Sequence, residues 1–378
     1  MERPDRLTSN PSNNVLQVVY VNYHAEDLLA DSLRSLLSRS AEVPALDVTI
    51  VDNSCDDAAW SRLEGIARDR AQCLRMDDNI GFARGCNAGA RAGTSHHLLF
   101  LNPDTIVPAG TLARLWQALE SHERALIGPR QFADEGLQFA HAPLRGARLF
   151  DEAWDLWFAR GWAPRRSERF VAERARLFAR QGPVRLRCLS GGCLAVRRSV
   201  FDALGGWDER YWMYGEDVEL CVRARRSGVE ILYLPDVPIV HFIEGSTRHI
   251  PERAQASHQD GRRMFKRSRY GRLVSAIERG LTRATHALLP RRDDPWQRAR
   301  TLEDTTFSAP FGNRPWAVEL GRSPLFDNCL SAFPRTDNWV VPARLLEWLP
   351  PGEFFLRVAG EESRNRWRET GLFRLLVT

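Results

Sequence analysis

Lysine is almost absent from this chain of 378 residues: Lys266 is the single lysine among 53 basic side chains, and the rest are arginines. Arginine favours bidentate contacts with phosphate groups. Two segments, 160–187 and 262–292, are dense in arginine, but aromatic residues do not alternate with the arginines there as they do on a nucleic-acid-binding surface. We therefore expect no nucleic-acid partner.

Paired cysteines and long apolar runs are missing as well. The seven cysteines are scattered and form no CxxC pair, which argues against a disulfide framework and a zinc site. No apolar run approaches the ~20 residues that a membrane-spanning helix needs. The polar start, residues 1–14, lacks the pattern of a signal peptide and predicts a disordered tail. We expect a cytoplasmic protein.

Short apolar segments alternate with helical patterns over the first third of the chain. The segments VLQVVYV, LDVTIV, QCLRM, HLLFL and ALIG are typical of buried strands. Alternation of such strands with helices predicts an α/β fold with a mostly parallel central sheet covered on both faces. We place this domain at residues 15–252.

Polar residues follow several of these strands. Asn22 ends the first, Asp52 the second, Asn79 lies in the turn after the third, and Asn102 and Asp104 follow the fourth. Ligands of parallel sheets bind beyond the carboxyl ends of the strands, so this set predicts a nucleotide-type site. The glycine-rich turn after the third strand is neither GxGxxG nor a Walker loop, which disfavours a nicotinamide dehydrogenase and a P-loop enzyme.

An aromatic loop, WDERYWMYGED, leads into a helix that begins with Glu216 and Asp217. Carboxylates at a helix N-terminus are expected to stay charged and fixed in direction, because free amides and the helix dipole stabilise them. A fixed carboxylate beside aromatic walls is suited to act as a general base. The alternative is an ordinary helix cap.

Three further segments complete the chain. Residues 131–187 predict an irregular insertion over the active face. Residues 253–300 form a basic helical segment with an apolar stripe (Leu273, Ile277, Leu281, Ala284 and Leu288) that either docks on the catalytic domain or lies on an anionic membrane. Residues 301–378 carry four strand-like runs and predict a small β-rich, sandwich-like domain.

Together, VYVNY, VDNS, NIGFARGCNAG, FLNPDT and the block GGCLAVRRSVFDALGGWDERYWMYGEDVELCVRARRSG occur in an order that resembles the family 2 glycosyltransferases, inverting enzymes of the GT-A fold. The rhamnosyltransferase-like branch is the most similar, and the resemblance covers about residues 15–268. It implies transfer of a sugar from a nucleotide-diphosphate donor, either dTDP-rhamnose or a UDP-sugar. The acceptor would be a hydroxyl of a surface polysaccharide or of a lipid-linked glycan.

The resemblance also implies a divalent cation, Mg²⁺ or Mn²⁺, that neutralises the leaving diphosphate. Asp104 matches the family's metal-binding acidic motif, although the motif here is Asn102-Pro103-Asp104 and has a single carboxylate. His241 matches a later histidine that approaches the metal or the diphosphate. The alternative for His241 is a histidine whose hydrogen bonds are satisfied at the end of a strand.

On the donor side, the resemblance places Asp52 at the nucleotide base and turns Arg84 and Asn87 towards the nucleotide or its phosphates. The alternative for Arg84 and Asn87 is a polar patch at the start of a helix.

On the acceptor side, Asp217 matches the catalytic base of a single displacement, and Glu216 would orient acceptor hydroxyls or the loop. Trp207, Asp208 and Trp212 would shape the acceptor subsite, with core packing as the alternative.

Two other functions remain open from the sequence. A catalytically silent saccharide-binding or scaffold protein could keep the same fold. A nucleotidyltransferase would need a basic, glycine-rich turn after the first strand, and the turn here begins Asn22-Tyr23-His24. For the enzyme we expect peripheral contact with the inner face of the cell membrane, where lipid-linked glycans are found.

Overall fold

The computed structural model describes residues 14–144, 166–242, 250–288, 300–301, 305–322, 326, 329–364 and 366–377. Residues 1–13 of the predicted tail and the middle of the predicted insertion lie outside these residues, as do residues 243–249 and the end of the basic segment.

The first part of the chain alternates strands and helices in the predicted order. In chain order they are β1 (Leu16–Asn22), α1 (Glu26–Leu37), β2 (Leu46–Asp52), α2 (Asp57–Ala67), β3 (Gln72–Arg75), α3 (Phe82–Ala92), β4 (His97–Leu101), β5 (Thr105–Ile106), α4 (Thr111–Ser121), β6 (Ala125–Phe132), β7 (Ala140–His141), α5 (Arg166–Phe178), β8 (Val184–Arg185), β9 (Cys193–Arg197), α6 (Arg198–Ala203), α7 (Glu216–Arg226) and β10 (Glu230–His241).

The remaining elements are two long helices and a group of strands with one short helix. They are α8 (Pro251–Tyr270), α9 (Arg272–Leu288), β11 (Arg300–Thr301), β12 (Thr306–Ser308), β13 (Trp316–Gly321), β14 (Cys329–Ala332), β15 (Asn338–Val340), α10 (Ala343–Trp348), β16 (Gly352–Ser363) and β17 (Arg366–Val377).

The central sheet is mixed, with parallel strands at its functional end. Strands β3, β2, β1 and β4 lie side by side in parallel, and β10 is parallel to β6. Strand β9 is antiparallel to both β4 and β6 and joins the two parallel groups. The carboxyl ends of β1, β2 and β4 therefore meet at one edge, which confirms the predicted α/β architecture.

Apolar side chains cover both faces of this sheet, as buried parallel strands require. Because side chains alternate along β1, Val18 and Tyr20 pack into one core layer with α1, α2 and α4, while Val19 and Val21 pack into the other with α3, α6 and α7. The helices are held by stripes such as Leu29, Leu33 and Leu36 of α1 in the first layer. The sheet is thus rigid at the edge where its strands end.

The C-terminal region is β-rich, as predicted, and its strands continue the same sheet. Strands β13, β14, β16 and β17 are antiparallel neighbours, and β14 pairs with β7 through Leu330 opposite His141. Strand β7 in turn pairs with β6. The order of strands from the C-terminal region into the catalytic sheet is β17-β16-β13-β14-β7-β6.

The described parts of segment 131–187 do not form a cover over the active face. Strand β7 is part of the sheet, and α5 packs its Val171 and Ala172 against Ala317, Ala359 and Trp367 of the C-terminal strands. A buried ion pair reinforces this contact, with Arg174 of α5 and Arg357 of β16 both donating to Glu319 of β13. Segment 131–187 therefore ties the two parts of the chain together.

Helices α8 and α9 follow the predicted basic segment, but the apolar stripe of α9 does not dock on the protein. Leu273, Ile277 and Leu281 are 74%, 50% and 49% exposed. The side chain of Leu288 lies outside the described residues. Within the described residues, no helix is long and apolar enough to cross a bilayer.

Candidate active site

The predicted residues at the ends of β1 and β2 form one hydrogen-bonded cluster. Asn22 Nδ2 donates to Asp52 Oδ1 at 3.0 Å and to Glu26 Oε1 at 3.1 Å, and Ser54 Oγ donates to Asp52 Oδ1 at 2.7 Å. Both Asn22 and Asp52 are fully buried in the side-chain packing. Parallel pairing in register, Asn22 opposite Asp52, brings them together. The cluster holds the Asp52 carboxylate in one orientation.

Two buried acceptors in this cluster face no donor within the part of the chain that the structure describes. They are Asp52 Oδ2 and Oδ1 of the adjacent Asn53. Buried oxygen acceptors of this kind are normally hydrogen-bonded, so a pair of them at the ligand edge of a sheet is suited to receive N–H or O–H groups of a ligand. Asn53 was not predicted as a site residue, although it lies in the VDNS motif.

The turn after β3 packs against the aromatic loop that contains Trp212. Asn79 Oδ1 accepts from the Gly81 N–H at 3.1 Å, and Asn53 Nδ2 donates to the Gly81 carbonyl at 3.1 Å. Gly81 has a φ of +83°, and a Cβ there would collide with the backbone oxygen of Trp212. Only glycine therefore allows Trp212 to pack this closely, with its Nε1 donating to the Asn79 carbonyl at 3.3 Å.

Trp212 is half-buried and connects three elements. Besides its contact with the 79–81 turn, its carbonyl accepts from the Phe82 N–H at 2.7 Å. The guanidinium of Arg253, in α8, lies 4.0 Å from the centre of its ring. Trp212, predicted to shape the acceptor subsite, thus connects the loop that precedes Asp217 to the 79–81 turn and to α8.

Arg84 and Asn87 lie on α3 and contact the 206–209 loop. Asn87 Nδ2 donates to the Trp207 carbonyl at 2.9 Å, and Asn87 Oδ1 accepts from the Trp207 N–H at 2.9 Å. Arg84 lies 3.9 Å from Glu209, and both side chains are exposed. The structure therefore places Asn87 as a buried anchor of the loop, whereas Arg84 is exposed near the start of α3.

Trp207 is a core residue, which favours the alternative of core packing over a place in the acceptor subsite. It is 1% exposed and packs edge-on against Phe82 and Phe100. Asp208 forms a two-pronged ion pair with Arg210, with Nε donating at 2.9 Å, and the contact lowers the pKa of Asp208. The double glycine Gly205-Gly206, with φ near +80° and +73°, turns the chain so that Trp207 points inward.

Asn102, Asp104 and His241 come together at the end of β4 and β10. His241 Nε2 lies 3.1 Å from Asn102 Nδ2 and 3.4 Å from Asp104 Oδ1. Thr105 of β5 pairs with His241 of β10, which sets this approach. Asp104 is 2% exposed, whereas His241 keeps an accessible edge. The three predicted residues are therefore neighbours.

Two residues that were not predicted orient His241. Gln131 Oε1 lies 2.9 Å from His241 Nδ1, and an amide oxygen only accepts, so Nδ1 carries the proton. With Nδ1 protonated in the neutral ring, Nε2 presents its lone pair to Asn102 and Asp104. His141 donates from Nε2 to the His241 carbonyl at 2.9 Å, and burial lowers the pKa of His141 to about 4.

The residues present fit a divalent cation that is shared with a substrate. An imidazole lone pair and a carboxylate face each other, and Asn102 Oδ1 is a buried acceptor with no hydrogen-bond partner among the described residues. No group of three His, Cys, Asp or Glu side chains suited to a metal occurs in the described ranges. Mg²⁺ sites of this type use one or two carboxylates and complete their coordination with phosphate oxygens and water.

A glycine pair links this cluster to Asp217. The Gly191 N–H donates to Asp217 Oδ2 at 3.3 Å. At the next residue, a Cβ on Gly192 would lie 2.5 Å from His241 Cε1, so only glycine leaves room for the imidazole. The Gly192 carbonyl also accepts from the Asn102 N–H at 3.0 Å. Asp217 and the Asp104–His241 pair are therefore separated by two consecutive glycine residues.

The two carboxylates at the start of α7 lie in different surroundings. Glu216 is buried and Asp217 is half-buried, with Oδ1 accepting from the Val218 N–H at 2.8 Å. Burial raises the pKa of Asp217, and the N–H groups of Val218 and Gly191 oppose that rise. Burial and the charge of Asp217 raise the pKa of Glu216. The expectation that the helix N-terminus would keep both ionised is corrected for Glu216, because desolvation outweighs it and raises the pKa of Glu216 to about 8.

A separate cavity of about 600 Å³ lies behind the 206–209 loop, between α3, α6 and α7. Its walls carry four arginines and four carboxylates, among them Arg91, Arg198, Asp202 and Glu219. None of the strand-end residues contributes to it. Of the predicted site residues, Asn87, Trp207 and Asp208 line this cavity, whereas the strand-end residues and Asp217 lie outside it.

The sequence matches known proteins over the same region. The family described as "Glycosyltransferase like family 2" matches residues 13–265. The N-acetylglucosaminyl-diphospho-decaprenol L-rhamnosyltransferase of Mycobacterium tuberculosis (strain ATCC 25618 / H37Rv) is 30% identical over 300 residues, which are 73% of this chain and 91% of that protein. Rhamnosyltransferase WbbL of Escherichia coli (strain K12) is 25% identical over 171 residues, 44% of this chain and 60% of that protein.

Among solved structures, the mannosyltransferase PcManGT from Pyrobaculum calidifontis, in complex with GDP-Man and Mn²⁺, has a TM-score of 0.47 to this chain at 17% identity. The match covers 78% of this chain and 75% of that one. A likeness of this extent supports no conclusion about the ligands of this chain.

Proposed function

The chain belongs to glycosyltransferase family 2, and we propose that it is an inverting enzyme in which Asp217 is the general base. The donor is a nucleotide-diphosphate sugar, with dTDP-rhamnose favoured over UDP-sugars because a rhamnosyltransferase is 30% identical to this chain over 73% of its length. The acceptor is a hydroxyl of a lipid-linked or surface-polysaccharide glycan. Glycosyl transfer as a reaction class follows from the family, whereas the base, the inversion, the donor and the acceptor are proposed.

The observation that carries the proposal is the placement of Asp217. Its carboxylate is anchored by the Gly191 and Val218 N–H groups, and the next glycine packs on His241 beside Asp104. Through this glycine pair, Asp217 is connected to the residues that would bind the diphosphate. A base and a leaving-group site held next to each other are what a single displacement requires.

The reaction then needs one base and no covalent intermediate. As the acceptor oxygen forms its bond to the anomeric carbon, its proton passes to Asp217. The bond from the anomeric carbon to the donor phosphate oxygen breaks, and its electron pair leaves with the nucleoside diphosphate. Attack from the side opposite the leaving group inverts the anomeric centre. The raised pKa of Asp217 makes it a stronger base than an exposed aspartate.

On the donor side, the Asp52 cluster binds the base or ribose of the nucleotide. Asp52 Oδ2 and Asn53 Oδ1 are the acceptors available there, and a uracil or thymine N3–H is a matching donor. Asn22 and Asn79 hold the cluster and the turn in shape rather than contacting the sugar. Arg84 is exposed and is the residue of α3 that remains available to a phosphate.

On the leaving-group side, Asp104 and His241 would hold Mg²⁺ or Mn²⁺, with Asn102 adjacent. The cation would supply charge neutralisation for the departing diphosphate. Gln131 and His141 hold His241 in its orientation beside Asp104. Asp208, paired with Arg210, shapes the loop, and Trp212 with Glu216 defines the acceptor side.

The acceptor is proposed from the named relative, which acts on a sugar linked to decaprenol through a diphosphate. A lipid-linked acceptor places the enzyme at the inner face of the cell membrane as a peripheral protein. Such an acceptor also brings an anionic diphosphate, which suits a chain whose basic residues are nearly all arginine.

Asp217→Asn tests the base. The substitution keeps the size of the side chain and removes its basicity, so transfer should fall ~10²–10⁴-fold while donor binding persists. Transfer is measured as nucleoside diphosphate released from dTDP-rhamnose or UDP-sugars in the presence of a polyprenyl-diphosphate sugar. Donor binding is measured by thermal shift.

Asp69→Asn is the matched control, because Asp69 is exposed and lies just before β3, at the opposite edge of the sheet from the site. It should transfer sugar at the wild-type rate. Near wild-type turnover by Asp217→Asn would exclude Asp217 as the base.

A further inference from the structure

Helix α9 exposes its apolar side and buries its polar side. The apolar stripe, defined here as Leu273, Ile277 and Leu281, recurs every four residues and is 74%, 50% and 49% exposed. On a helix that packs on a soluble domain, the apolar stripe faces the core. In α9 the opposite orientation leaves three large aliphatic side chains in water.

The buried side of α9 is fixed by a polar contact. Ser275 and Glu278 are both 1% exposed, and Glu278 accepts from Lys266 of α8 at 2.7 Å. Lys266 is the single lysine of the chain. A buried ion pair fixes orientation more than it adds stability, since one partner alone would be a buried unpaired charge. The pair therefore holds α9 rotated with its apolar stripe outward.

Arginines line one side of the stripe. Arg272, Arg279 and Arg283 are spaced by seven and four residues, so they share one side of the helix at 3.6 residues per turn. Arg272 and Arg283 are exposed and Arg279 is half-buried. We call these three the arginine line. Glu278 is the only acidic residue in α9, and it is paired, so the exposed surface of the helix is positive.

We infer that the apolar stripe and the arginine line of α9 are a membrane-binding surface for a bilayer with anionic headgroups. A helix with aliphatic side chains on one side and arginines beside them lies in the plane of the interface, with the aliphatic groups below the headgroups. The arginines extend their charged ends to the phosphates while their stems lie against the acyl boundary.

The charge pattern selects a bilayer over a second copy of the chain. An antiparallel two-fold contact through α9 would bring one arginine line against another, and like charges brought together repel. An anionic lipid surface complements the same arginines. The role of this surface rests on the proposed function: it would bring the enzyme to a lipid-linked acceptor.

Vesicle sedimentation tests the surface without any transfer reaction. The full chain is mixed with vesicles of phosphatidylcholine alone or with 30% phosphatidylglycerol, at low and high salt. Wild type should sediment with the anionic vesicles, and 0.5 M salt should release most of it. The triple variant Leu273→Gln/Ile277→Gln/Leu281→Gln should bind at least ~10-fold more weakly, because the inserted apolar area is lost.

A second triple variant, Arg272→Gln/Arg279→Gln/Arg283→Gln, should lose its preference for anionic over neutral vesicles. The matched control is Val340→Gln/Leu376→Gln, which removes two other exposed apolar side chains, 54% and 72% exposed, from the C-terminal strands. This control should bind vesicles as wild type does. Equal binding by the stripe variant and wild type would overturn the inference.

Light scattering of wild type and the stripe variant in solution tests whether a second copy of the chain, and not a bilayer, covers the stripe. A dimer that becomes a monomer in the stripe variant would make α9 a protein interface and overturn the membrane proposal. Circular dichroism verifies that each variant folds. If the stripe variant does not fold, the arginine variant tests the surface independently. The inactive Asp217→Asn chain should bind vesicles normally, which separates this result from failure of the proposed function.

Discussion

Asp217 is distinguished from the other carboxylates of the chain by what surrounds it. It is anchored by two N–H groups, is shielded enough for burial to raise its pKa, and still keeps an accessible edge. Its neighbour Glu216 shares the helix start but points into the core. Two adjacent carboxylates thus have different environments, and the accessible one is the proposed base.

The pH dependence of transfer should follow Asp217. A base acts only when deprotonated, and its folded-state pKa is above that of an ordinary aspartate. We expect kcat/KM to fall on acidification at a pH clearly above the usual aspartate range near 4, and to be flat above it until other groups titrate. The measurement is a pH profile of kcat/KM between about pH 4.5 and 8. An unchanged rate down to pH 4.5 would contradict the assignment.

At the scale of elements, the 206–209 loop is positioned by α3 rather than by its own sequence. Asn87 makes three hydrogen bonds to it, two with the backbone of Trp207 and one with Glu209 at 3.0 Å. Trp207 then fills the space beneath Gly191 and Asp217. The geometry of the proposed base therefore depends on a residue first predicted to bind nucleotide.

Asn87→Ala separates these two roles. Loss of the amide leaves the Trp207 N–H and carbonyl buried and unpaired, so the free energy of unfolding should fall by ~2–4 kcal/mol. Thermal or urea unfolding measures the effect. Donor affinity of the folded fraction should stay near that of wild type.

Arg84→Ala is the paired control, because its long, exposed contact with Glu209 should contribute under ~1 kcal/mol. An Asn87→Ala protein with wild-type stability and weakened donor binding would support the nucleotide role instead.

At the scale of the whole molecule, the catalytic region and the C-terminal strands share one sheet. Strand β14 pairs with β7, Phe242 stacks on Trp348 with ring centres 4.3 Å apart, and Trp339 Nε1 donates to Gln138 at 2.7 Å. Phe242 directly follows His241, so the C-terminal region also packs beside the proposed metal residues.

Because of this shared sheet, we expect one cooperative unfolding transition. Calorimetry should give a single peak with equal calorimetric and van't Hoff enthalpies. A chain ending at residue 299 should be less stable by several kcal/mol and prone to aggregate, because Phe139 and Phe242 would lose their cover. Two separated transitions in the full chain would instead indicate independent domains.

The strands, the polar residues at their ends and the acidic start of α7 were predictable from the sequence. Apolar strands and turn residues are local patterns, and parallel strands must end at the same edge. Family motifs further indicated Asp104, His241 and Asp217. The roles of Gln131 and His141 were not predictable, because their hydrogen bonds to His241 join residues 110 and 100 positions apart in the sequence.

The amino-acid sequence by itself determined which segments become strands and helices and which of their sides are apolar. Only the tertiary structure decided what covers each side. Trp207 lies in the core because a glycine turn and Asn87 direct it inward. The apolar stripe of α9 is exposed because the Lys266–Glu278 pair takes the buried side. Both outcomes depend on partners distant in sequence, which local periodicity does not encode.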